Sequence, residues 1–288
     1  MTVNVPRHEF PSAQLARGVE VLEENAREEI NDLQEFPSAL GSAFSAAVTL
    51  AKARCSLDPM AGEFGTWAAY VQAMQVGSAL FASARAEGGS IQCRIARKMR
   101  TIPAVDLRGS AHVVNWLNAF WLAVICREQG RMTELCRVPQ SLLRESQSEV
   151  FCDEHSFAWA AALQTYWLNG QDLGEKLVAA VDATDPDVVQ IANREQVLKI
   201  HWPPMELFHQ FLREDHAKFN SALAEALQWH REFWSADEER ASYTSGFVPL
   251  QLLGITCLAY DAGFPIEVES EYLPKYLLNR EWLGEFET

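Results

Sequence analysis

Residues 115–138, NWLNAFWLAVICREQGRMTELCRV, decide the fold. From Val113 to Cys126 only Asn115 and Asn118 are polar. A helix that is apolar on every side belongs in the middle of a large helical protein. The Arg127-Glu128-Gln129-Gly130 that follows reads as its end, with charge and a glycine at the C′ position. Such a helix builds a core and offers no reacting group.

Outward from it, nearly every segment repeats its apolar residues at a period close to 3.6. Leu15, Val19, Leu22, Ala26, Ile30 and Leu33 make one stripe, with Ser12 as the expected N-cap. Pro37-Ser38 opens a second helix toward Ser56, and a third runs from near Glu63 to Ala86, before Gly88-Gly89. Residues 90–105 alternate weakly and close at Pro103, which leaves a short hairpin and an irregular loop as equal alternatives. Further helices are expected at 110–129, 131–137, 139–146, 153–169, 172–184, 187–200, 203–213, 215–235 and 246–261, with Asp185-Pro186 and Pro203-Pro204 marking two of the starts. Gly130, Gly170 and Gly263 each follow a helix in similar surroundings, a faint sign of stacked hairpins whose spacing is too irregular to make a repeat. No linker divides the chain. The expectation is one all-α domain over 1–288, of about ten helices.

The chain has 288 residues, 48 % of them hydrophobic, including nine Trp, six Tyr and fifteen Phe, ample for a large core. Its longest apolar run, Ala119–Cys126, is far short of the roughly 18 residues that span a bilayer. The start, MTVNVPRHEFPS, has no signal-peptide core, so a cytoplasmic protein is expected. The six cysteines are scattered without a CxxC pair, and Cys126, Cys136 and Cys257 fall in apolar helical patterns as small buried hydrophobes.

Chemistry has few footholds. Glu206-Leu-Phe-His209 matches the Glu-x-x-His pair of di-iron bundles, but it occurs once where such bundles use two. A metal-dependent helical enzyme on Glu206 and His209 is therefore a rival reading, with a surface pair as the plainer one. His230 lies in an apolar stripe and reads as a hydrogen-bonded core residue. Cys152-Asp153-Glu154-His155 opens a helix, where Asp and Glu serve as cap and dipole partners. Phosphate-loop, dinucleotide, nucleophile-elbow and zincin motifs are absent, so neither cofactor nor metal is expected.

Charge carries more. The net charge is −15, which repels nucleic acid and anionic lipid and attracts basic proteins. Glu20, Glu23, Glu24, Glu28, Glu29, Asp32 and Glu35 crowd one helix against the single base Arg27. Glu267, Glu269 and Glu271 mark an extended acidic stretch near the end. The one basic stretch, Arg94 to Arg108, lacks the interleaved aromatics of a single-strand groove and answers the protein's own negative field. Carboxylates at i and i+4 oppose helix formation by a few tenths of a kcal/mol per pair. A run that opposes its own helix invites a reason, and docking of a basic partner supplies one.

Thr101-Ile102-Pro103-Ala104, the stretch NWLNAFWLAVICREQGRMTEL (115–135) and Glu271-Tyr272-Leu273-Pro274-Lys275-Tyr276-Leu277-Leu278 together resemble the immunity 49 family of bacterial polymorphic-toxin immunity proteins. The resemblance implies an all-α protein that binds the catalytic domain of a cognate toxin, often a nuclease, and keeps it silent in the producing cell. It carries over no catalytic residue. The expected contact residues are Glu24, Glu28, Glu29, Asp32, Glu35, Glu267, Glu269 and Glu271, on charge alone. A helical-repeat scaffold is the remaining alternative.

Overall fold

The computed structural model describes residues 2–10, 15–146 and 152–288. The expected N-cap Ser12 lies outside them. The chain is all-α. Strand β1 (Val3–Asn4) is followed by α1 (Leu15–Asp32), a 3₁₀ turn at Pro37–Ala39, α2 (Leu40–Leu57) and α3 (Phe64–Arg85). A hairpin, β2 (Ser90–Ile95) and β3 (Lys98–Pro103), leads to α4 (Val113–Ile125), α5 (Gln129–Cys136) and α6 (Gln140–Glu145). Then come α7 (Glu154–Trp167), α8 (Leu173–Asp182), α9 (Arg194–Gln196), α10 (Trp202–Leu212) and α11 (His216–Trp234). Short α12 (Glu238–Ala241), α13 (Leu250–Asp261), β4 (Val268–Glu269) and α14 (Lys275–Leu278) close the chain.

Helix α4 is the centre of the packing. Val113, Trp116, Leu117 and the unbroken run Ala119–Ile125 are all buried. Trp116 stacks on Phe120 at 5.2 Å, and its indole donates to the Leu135 carbonyl at 2.8 Å, so the large ring is buried with its polar atom satisfied. A Cβ on Gly254 of α13 would lie 2.4 Å from Trp121 Cε3, so α13 can approach α4 only because that position is glycine. The buried apolar side chains form one contiguous cluster that draws on α1 to α5, α7, α8, α10, α11 and α13.

The end of α4 differs from expectation. The C′ residue is Arg127, at φ +57°, and Gly130 lies inside α5. Glu128 N–H closes the turn onto the Ala123 carbonyl at 2.9 Å, the bond a left-handed C′ residue permits. A non-glycine tolerates this because its guanidinium is fully used. It donates to the carbonyls of Ile125, Leu277 and Leu278 and pairs with Asp261 at 3.0 Å. Helix α7 likewise ends on Asn169 at φ +52°, one residue before Gly170, and only α13 uses its glycine, Gly263 at φ +85°. The three glycines thus occupy different positions, and the hint of a repeat disappears.

One other expectation is corrected and one is refined. Residues 187–193 are not helical. Their backbone is held from outside, by the Asp153 carboxylate, which accepts N–H bonds from Gln190, Ile191 and Ala192 at 2.6, 3.1 and 2.9 Å. Asp153 occupies the N-cap position of α7 without capping it. Pro203-Pro204 stand in the first turn of α10, as expected, but that helix has no free start. They sit within a run continuous from Arg194 to Leu212, made possible by a π turn at Val197–His201 in which Trp202 N–H reaches the Val197 carbonyl, five residues back. The wider turn reorganises the hydrogen-bond ladder where proline supplies no donor. Residues 90–103 resolve as the hairpin, turned by Ala96 and Arg97 at φ +51° and +64°.

Candidate partner-binding surfaces

The five acidic candidates of α1 follow from its amphipathicity. Val19, Ala26 and Ile30 face α2 and are buried, which turns Glu24, Glu28 and Asp32 to solvent, with Glu35 exposed in the turn beyond. Glu24 has only a loose contact with Arg27, 3.4 Å between two exposed side chains, worth little in water. Glu29 is different: it is half-buried, and its Oε2 is shielded from solvent without a hydrogen-bond partner. The other edge of α1 is tied to its neighbours: Arg54 of α2 pairs with Glu23 at 2.8 Å, and Arg100 of β3 donates to the neutral Asn31 at 3.2 Å. The basic stretch is partly consumed in the same way: Arg94 meets Glu287 at 2.6 Å, and Arg97 lies over the rings of Phe64 and Phe286.

The second acidic group is placed by a pairing the sequence did not announce. Strand β1 runs parallel to β4, with Val3 opposite Val268 and Asn4 opposite Glu269. Val3 and Val5 donate to the carbonyls of Glu267 and Glu269 at 2.8 and 3.0 Å. Alternation then buries Val268 and leaves Glu267, Glu269 and Glu271 exposed. Arg7, itself almost buried, donates to the Cys55 carbonyl at 2.6 Å and touches Glu271 at 3.5 Å. Further in, His8 Nδ1 lies 2.7 Å from the Tyr272 hydroxyl, which also accepts the His8 backbone N–H. Burial lowers the His8 imidazole and pushes the Tyr272 phenol up to about 12, so both are neutral at pH 7 and the seam is a neutral hydrogen bond.

Beside this seam lies a cleft of about 1100 Å³. Val5, Phe10, Phe247, Phe264 and Leu273 line it, and Glu9, Glu269, Glu271 and Lys275 supply charge at its walls. Leu15, the first residue of α1, lines it too, whereas Glu35 lies beyond the other end of that helix. At 1.5 Å per residue Glu24 lies roughly 14 Å and Asp32 roughly 26 Å along α1 from Leu15. Sequence reasoning missed the cleft because two of its walls, residues 4–10 and 264–279, are distant in sequence and are brought together by the parallel pairing and the His8–Tyr272 and Arg7–Glu271 contacts.

The groups that suggested chemistry are accounted for locally. Glu206 and His209 stand 3.7 Å apart, both partly exposed, and Glu206 also accepts from Gln210 at 2.6 Å. Among the described residues no group of three or more His, Cys, Asp or Glu side chains is placed to hold a metal ion. His230 Nε2 donates to the Gly246 carbonyl at 2.9 Å, and burial brings its pKa down to about 3. All six cysteines are free thiols, each raised by burial, Cys55 to about 12 and Cys257 to about 11. Glu154 pairs with Arg144, while His155 is buried against His201 with 4.7 Å between ring centroids.

A sequence model of one family, described as Immunity protein 49, matches residues 58–277, more than three-quarters of the chain. The chain belongs to the Immunity protein 49 family. No curated protein and no solved structure matches it. The family match takes in α4, the Asp153-held turn and the Glu267–Glu271 wall of the cleft. It leaves out strand β1, α1 and the turn after α1, and with them Glu24, Glu28, Glu29, Asp32 and Glu35. No helix among the described residues is long and apolar enough to cross a membrane.

Proposed function

We propose that this immunity protein neutralises a cognate toxin by stoichiometric binding, without catalysis of its own. The single observation that carries the reading is the family match across 58–277. The charge supports it: −15 overall, with exposed carboxylates on α1 and on the 267–271 strand. A basic toxin domain, such as a nuclease with a cationic substrate groove, is the partner such a surface attracts, because complementary charge speeds encounter and selects the partner. Glu24, Glu28, Asp32 and Glu35 form one proposed contact and Glu267, Glu269 and Glu271 the other, with Glu29 contributing least because it is half-buried. The unit acts in the cytoplasm as one domain over 1–288 and recruits neither nucleic acid nor membrane.

Co-expression with the product of the adjacent gene tests this. The expected result is rescue of growth and co-purification in a fixed ratio. Absence of both would sink the reading. Reversing Glu24, Glu28 and Asp32 to lysine together should weaken rescue. Unchanged rescue would remove the α1 face from the interface and leave the binding function standing.

A further inference from the structure

Between Thr184 and Val197 no residue is buried. A segment without a core contribution ordinarily moves freely, yet this one is fixed. Asp153 holds three consecutive amides from beneath. Beyond it, Glu195 is clamped by Arg240 at 2.9 Å and by Lys199 at 3.3 Å, and Lys199 reaches Glu232 at 3.2 Å. Burial of Asp153 opposes its charge, but the three amides hold its carboxyl below the usual range, so the anchor is ionised at neutral pH.

What this anchoring displays is apolar. Ile191, the middle of the three held amides, is 44 % exposed, and Val188, two residues before them, is 57 % exposed. Fixing large aliphatic side chains in water does nothing for the core. It does lower the ordering cost of a later contact, which is how preorganised surfaces gain affinity. Asp182, Asp185 and Asp187 are exposed alongside.

We infer that the held turn at 185–193 docks a partner protein through Val188 and Ile191 against an apolar patch flanked by lysine or arginine, and that this partner is the toxin domain of the proposed function, on which the inference rests. The carboxylates suit a basic rim, and the held aliphatics suit the buried centre that supplies most of an interface's affinity.

The test measures binding of purified chain to the toxin domain encoded by the adjacent gene. Val188→Ser with Ile191→Ser should weaken affinity about tenfold or more, with the melting temperature unchanged. Asp182→Lys with Asp187→Lys should slow association at low salt. Met99→Ser, at a 60 % exposed position on the hairpin, is the control and should change nothing. Wild-type binding that survives both pairs overturns this docking face while sparing the proposed function. Failure of the wild type itself to bind overturns the proposed function beneath it. A concentration-dependent dimer abolished by the serine pair would assign the face to a second copy of this chain, and would also overturn the inference.

Discussion

Helix α4 and the turn at 185–193 show two opposite ways of fixing a backbone. Helix α4 is held by burial of nearly all its side chains, with Trp116, Phe120, Trp121 and Leu122 removed from water. The turn has no buried residue and is held by one carboxylate 37 to 39 residues back in sequence. The first mechanism is distributed, so it tolerates the loss of any one contact but resists changes of volume. The second is concentrated, so a single substitution releases it. A region fixed by a few polar bonds can be both rigid and exposed, which a region fixed by burial cannot.

Acid should act on both, with the largest effect. His112 accepts the Asn115 N–H at the start of α4, and His201 closes the π turn; burial brings each down to about 4, and His230 to about 3. Unfolded histidines bind protons near pH 6.5. Between those values the unfolded chain holds more protons, so stability must fall as pH drops below 6.5 and keep falling toward 3. His230 alone accounts for about 5 kcal/mol across that window. Urea unfolding at pH 7 and at pH 5 reads this, and equal midpoints would show that these imidazoles are solvated.

Trp121→Ala comes next and belongs to the distributed side. Removing a ring wedged against Gly254 should cost about 4 kcal/mol, read as one cooperative shift of the whole unfolding curve. Asp153→Ala should cost less, about 3 kcal/mol, and in a different place. Hydrogen exchange at Gln190, Ile191 and Ala192 should accelerate well before any amide of α4 does. Uniform acceleration across the chain would erase the distinction between the two regions. The smallest effect belongs to Glu24→Lys, Glu28→Lys and Asp32→Lys, each within about 0.5 kcal/mol of neutral by thermal unfolding, because these side chains are exposed.

How much of this was legible in the sequence divides along the same line. Burial announces itself in composition: α4, and most other helices, could be read from apolar period because the property that folds them is local. Concentrated anchors do not announce themselves. Asp185-Pro186 imitates a helix start, and the carboxylate that prevents one lies at position 153. Arg127 takes the left-handed position because Asp261, Leu277 and Leu278 are waiting for its guanidinium, a fact absent from the CREQG run itself. Ala96-Arg97 turn a hairpin without the glycine or asparagine that would have signalled it, Ala96 N–H being bound by the Gln75 side chain. On the candidate surfaces the carboxylates were visible as charge. Their separation into an α1 face and a cleft wall was not, because that depends on β1 finding β4.

That pairing also sets a timetable. Val3 can bond Glu267, and His8 can meet Tyr272, only after the long stretch between them has left the ribosome. The helices between them close their own short-range contacts first, as local contacts do. Residues 3–8 must wait, unpaired, until residues 267–272 have been made, so a chain stalled before that point would lack the seam while retaining most of its helices.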